Sequence, residues 1–213
     1  MQTDDLVLSL AKDFAPVPRR TVERRIALGL GAGAMAALVY IAIRLGLRPD
    51  LGAAMLGFSF WMKWAYTISL AAGAVLATTH LARPDAQGVS GLKLLALPVL
   101  AMAALAGLEL AQTPAGEWAA LLAGRSASVC SLWVLWFSLP VFAGLVWSFR
   151  RLAPDNLRLT GLMAGLAAGA SSATLYSLHC PESAALFILV WYTLGMALAG
   201  AAGALVGPRL LRW

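Results

Sequence analysis

The sequence predicts an all-α membrane protein: a polytopic bundle of six transmembrane helices, preceded by a short amphipathic N-terminal helix. Three observations carry this. Of 213 residues, 61% are hydrophobic, and the mean hydropathy is +0.79. Only 12% are charged, about half the roughly 25% of an ordinary soluble domain. The apolar residues gather into six runs, each near the roughly 20 residues that a bilayer core demands.

The first 25 residues, MQTDDLVLSLAKDFAPVPRRTVERR, form a polar segment of their own. Thr3 suits an N-cap, and Asp4 and Asp5 then face the positive end of the helix dipole. Leu6, Val7, Leu10 and Phe14 recur at helical spacing and share one face. Pro16 and Pro18 end the helix. A helix of about a dozen residues is marginal alone in water, so it folds against something. One reading is a groove on a protein partner, filled by Leu6, Leu10 and Phe14, with Asp4 and Asp5 meeting basic side chains. The other is the lipid surface or the chain's own bundle. The acidic polar face favours the partner, because surface-bound helices carry Lys and Arg there.

The six runs span residues 26–45, 62–81, 92–111, 127–149, 159–178 and 184–206. Residues 26–213 therefore form one transmembrane domain. Placing the N-terminus in the cytoplasm assigns twelve of the sixteen Lys and Arg to inside segments. Only Arg44, Arg48, Lys63 and Arg125 fall outside. The positive-inside rule then puts both termini in the cytoplasm. The net charge of +6 reflects this arrangement and needs no direct nucleic-acid contact. No cleavable signal peptide is evident before the first run.

The outer stretch 46–61 ends in Phe58, Phe60 and Trp61, followed by Lys63 and Trp64. This reads as an interfacial aromatic belt with a lysine snorkelling to water. Pro98 and Pro140 fall inside the third and fourth runs, where they free a backbone carbonyl one turn earlier. Gly161, Gly165 and Gly169 in run five, and Gly195, Ala199, Gly203 and Gly207 in run six, form small-residue stripes. Such stripes let helices approach closely in lipid. The two runs are expected to pack as a hairpin.

Catalytic signatures are missing: there is no HExxH, no G-x-S-x-G and no P-loop. Glu109, Lys63, His80 and Arg125 sit near run ends, unlike the mid-membrane acids and bases of ion-coupled pumps. The chain is expected to be no enzyme and to hold no resident cofactor. Its two cysteines are the candidate chemistry. Cys130 lies one turn into run four, and Cys180 lies at the end of run five in LHCPES. The topology brings both to the extracytoplasmic side, where disulfides form. Three readings stay open: a redox or disulfide pair; a soft-metal site built from Cys130 and Cys180 with His179 or Glu182; or two small buried residues without chemistry.

The opening TDDLVLSLAKDFAPVPRR, the RLGLRPDL after run one, and the closing LHCPESAALFILVWYTLG and RLLRW resemble the NrsF-type negative regulators of sigma factors. The resemblance covers essentially the whole chain. It implies a six-span anti-sigma factor of the bacterial inner membrane. Its cytoplasmic N-terminal segment would hold an extracytoplasmic-function sigma factor away from RNA polymerase and release it on outside stress. The family's paired cysteines match Cys130 and Cys180, which become the candidates for sensing an oxidant or a transiently bound heavy metal. The contrasting expectation is a small permease or metal carrier with a cytoplasmic gate peptide.

Overall fold

The computed structural model describes residues 20–82, 92–149 and 154–211. The partner-binding residues expected from sequence, Asp4, Asp5, Leu6, Leu10 and Phe14, lie outside them. So do several of the basic residues that set the expected orientation, among them Arg83, Arg150 and Arg151.

Among the described residues every regular element is helical. In order they are α1 (Thr21–Arg44), α2 (Leu51–Ala54), α3 (Phe58–Leu81), α4 (Leu92–Gln112), α5 (Trp118–Ala123), α6 (Ala127–Phe149), α7 (Leu157–Tyr176) and α8 (Ala185–Leu210). Each of the six apolar runs is thus a helix. Four stretches are long and apolar enough to cross a membrane: α1, the latter part of α4 (Leu95–Gln112), the stretch Ala115–Phe149 that contains α6, and α8. The other two, α3 and α7, have 24 and 20 residues and carry more polar or small side chains on buried faces.

The helices form because backbone groups shielded from water must be satisfied within the segment. Their packing faces are narrow. On α1 the buried residues are Ile26, Gly29, Gly33, Ala37 and Ile41, a stripe at three- and four-residue steps. Met35 and Ile43, on other faces of α1, are exposed and apolar, as a lipid-facing surface requires. The buried stripe of α3 follows the same rhythm through Phe60, Lys63, Thr67, Leu70, Ala74 and Leu81.

α7 is the centre. It touches α1, α3, α6 and α8, and its small residues are what allow four neighbours around one helix. The expected hairpin is present: a Cβ on Gly161 or Gly165 would strike backbone of α8 at Gly203 or Ala199. Gly195 departs from the expected stripe, since it faces Val134 and Ser131 of α6 instead. A second close contact was not expected. Gly29 of α1 meets Gly144 of α6, and Gly33 meets the backbone of Pro140 and Val141. Ser148 of α6 donates to the Arg25 carbonyl at 2.8 Å, which fixes the end of that pair.

Pro98 and Pro140 sit inside α4 and α6 as expected. A π-helical turn, Ile188–Tyr192, interrupts α8. Its displaced backbone is held from two sides: Ser131 Oγ donates to Trp191 O at 2.7 Å, and Trp191 Nε1 donates to Leu122 O at 2.7 Å.

Candidate functional site

The helix ends opposite Arg25 converge on one irregular segment, residues 177–184, which contains LHCPES. An irregular backbone has no ladder of its own, so its polar groups need donors and acceptors from elsewhere. They come from nearly every neighbour. Arg48 N donates to Leu178 O at 3.1 Å. His179 Nδ1 pairs with Gly46 O at 2.9 Å. Lys63 Nζ, on α3, donates to Cys180 O at 2.9 Å and Glu182 O at 2.8 Å. Glu182 Oε1 accepts from Arg125 N at 2.7 Å and Ser126 Oγ at 3.2 Å, just ahead of α6. Leu186 N, at the start of α8, donates to Glu109 Oε2 of α4 at 2.9 Å.

Gly124 makes room for this arrangement. Its φ of +49° lies in the left-handed region. A Cβ there would also strike Phe187 and the Glu182 carboxylate.

Cys130 and Cys180 meet inside this cage. Both are free thiols and are buried, at 0% and 1% exposure. Both belong to one buried core cluster, and Ser126 touches each: its carbonyl accepts from Cys130 N at 2.8 Å and its Oγ lies 3.9 Å from Cys180 Sγ. The Cys130 thiol, and then the Lys63 ammonium, hold the Cys180 thiol below its ordinary range against the opposing effect of burial. Tyr192, from the π-helical turn, lies beside Lys63 and carries a buried hydroxyl with no hydrogen-bond partner among the described residues.

The other residues expected at this site behave differently. His179 turns to Gly46 and Glu182 caps the approach to α6, so neither completes a ligand set with the thiols. Among the described residues no group of three or more His, Cys, Asp or Glu is placed to hold a metal ion. Local proximity in LHCPES could not reveal this, because side chains of an irregular segment diverge.

Lys63 overturns its sequence reading. It does not snorkel to water: its side chain is 1% exposed and points inward. The belt around it is only partly exposed, with Phe58 and Trp61 outside and Phe60 buried. The signal that could have found Lys63 is its spacing, since it falls on the same stripe as Phe60, Thr67 and Leu70.

Fold and site together define a class, a helical bundle of membrane type with a buried thiol pair knitted into one end. The family then follows from comparison. Residues 10–213 match the family described as "NrsF: Negative regulator of sigma F". Over the full length of both chains the protein is 41% identical to the probable anti-sigma-F factor NrsF of Azospira oryzae. It is 40% identical to the anti-sigma-F factor NrsF of Caulobacter vibrioides, again over the whole of both chains. No solved structure matches. The chain belongs to the NrsF family, a family of regulators and not of enzymes.

Proposed function

We propose that this protein is a membrane-bound anti-sigma factor. It holds an extracytoplasmic-function sigma factor through its cytoplasmic N-terminal segment and releases it when the thiol pair reacts on the other side of the inner membrane. The observation that carries the reading is the match to negative regulators of sigma F over residues 10–213. Six passes with both termini inside follow from the basic residues, and the six long helices support that reading.

Leu6, Leu10 and Phe14 line the apolar face that docks the sigma factor, and Asp4 and Asp5 pair with its basic side chains. At the far end, Cys130 and Cys180 respond to an oxidant by forming a disulfide, or to a soft cation by binding it between two sulfurs. The two ends are joined by α6. Cys130 sits near its first turn, and Ser148 near its last turn is bonded to Arg25, where the N-terminal segment enters α1. A shift of α6 at the sulfur end is therefore delivered to the root of the binding segment. The signal must favour one packing of α6 over another, since an agent that reacts equally with both shifts nothing.

Two experiments test this. Deleting residues 1–18 is expected to leave the protein in the membrane and to switch a sigma-dependent promoter on constitutively. Retention of the sigma factor by the truncated protein refutes the assigned segment. Replacing Cys130 or Cys180 by Ser is expected to abolish promoter induction by oxidant and by cadmium while sequestration persists. An unchanged induction removes the cysteines from the mechanism.

A further inference from the structure

Lys63 is a charge in a costly place. Removing an ammonium from water costs several kcal/mol unless partners replace the lost hydration, and an ionisable residue within a membrane helix calls for a functional explanation. Among the described residues no carboxylate lies within ion-pair distance of Lys63. Its partners are two main-chain carbonyls and the face of the Tyr192 ring, whose centroid is 5.7 Å from Nζ.

The identity of those carbonyls gives the role. They belong to Cys180 and Glu182, the residues on either side of Pro181. Proline fixes its own φ and offers no N–H, so the segment cannot tie itself down there. One ammonium therefore grips the chain immediately before and after Pro181 and sets where Cys180 stands. The Glu182 side chain meanwhile fixes the same turn to the start of α6, one turn ahead of Cys130. Lys63 and Glu182 thus hold the two sulfur-bearing segments in register from opposite sides.

We propose that Lys63 is the positioning residue of the sulfur pair: its two hydrogen bonds across Pro181 hold Cys180 against Cys130. This deepens the sensing role proposed above and rests on it for its biological meaning, though not for its chemistry.

The test is cross-linking of the full-length protein in native membranes by diamide. Diamide takes two electrons and two protons from the thiol pair and is reduced to its hydrazine, leaving a Cys130–Cys180 disulfide. Cross-linking is read by loss of maleimide labelling after denaturation. Because a misplacement of about 1 Å can cost on the order of a hundredfold in an intramolecular reaction, Lys63→Met is expected to slow cross-linking about tenfold or more. Lys63→Arg, whose guanidinium offers donors for both carbonyls, restores most of the rate.

A variant that merely loosened the bundle would expose both thiols to alkylation without slowing their cross-linking, and that result overturns the assignment. A parental rate in Lys63→Met overturns it equally. If Lys63→Met does not accumulate, Lys63→Gln carries the test. It keeps an amide donor on a shorter stem and is expected to slow the reaction severalfold, and a parental rate there is equally fatal. The cysteine-to-serine promoter assay reports separately on the sensing role. Unchanged induction there with slowed cross-linking here sinks the sensing role and leaves the positioning intact.

Discussion

The junction of α1 and α6 offers a sharp test, because two glycines on one helix should respond in opposite directions. Gly29 packs on Gly144, and an added Cβ would land on the Gly144 carbonyl oxygen and on Ser148 Oγ. The carbonyl is main chain and cannot swing aside, so the helices must part. Overpacking of this kind costs about 1–3 kcal/mol. Parting them also strains the hydrogen bond from Ser148 to Arg25, worth about 0.5–1.5 kcal/mol. Gly31 is two residues away on the same helix, and a Cβ there meets nothing within 4 Å. Both Gly→Ala changes gain about 0.5–1 kcal/mol of helix preference, so that term cancels between them. Gly29→Ala should therefore be less stable than Gly31→Ala by about 1.5–4.5 kcal/mol, with Gly31→Ala at or slightly above the parent. The assay is unfolding of the purified protein in mixed micelles by titrated denaturing detergent, followed by tryptophan fluorescence. Equal midpoints for the two variants would refute the close approach of α1 and α6. With it would fall the physical link between Cys130 and the root of the N-terminal segment.

Two further predictions concern the outer rim. Glu182→Gln keeps the shape but loses the charge that accepts from Arg125 N and Ser126 Oγ. By analogy with a lost helix cap it should cost about 0.5–2 kcal/mol in the same titration, and an unchanged midpoint would show that α6 needs no such anchor. The Arg48 guanidinium, hydrogen-bonded to Asp50, holds that carboxyl below its ordinary value of 3.8 and is itself held protonated more firmly. A depressed folded pKa means that the contribution is present above the unfolded value and is lost only as pH falls through the folded one. Amide exchange at Leu51, whose N–H donates to Arg48 O, should thus differ between parent and Asp50→Asn throughout the range above 3.8 and converge only as the pH falls below it. A difference lost while the pH is still above 3.8 would contradict the lowered pKa.

Much of this protein can be read along the chain. Six apolar runs become helices because each must close its own backbone hydrogen bonds when water is excluded, and that condition is local. The α7–α8 hairpin is nearly as local, since a short connection forces two glycine-rich helices to lie side by side. The meeting of Cys130 with Cys180 was also within reach, since neighbouring antiparallel helices, α6 and α7, bring the start of one to the end of the other. What only the tertiary structure decided are the pairings between distant segments. Gly29 and Gly33 find Gly144 and Pro140 across more than a hundred residues, a choice that depends on the shapes of whole helix faces. Lys63 carries the same lesson: a lysine near the end of an apolar run goes to water when water is the best partner on offer. Here the carbonyls of Cys180 and Glu182, delivered by the fold, replaced it, and no residue near Lys63 in the sequence announces them.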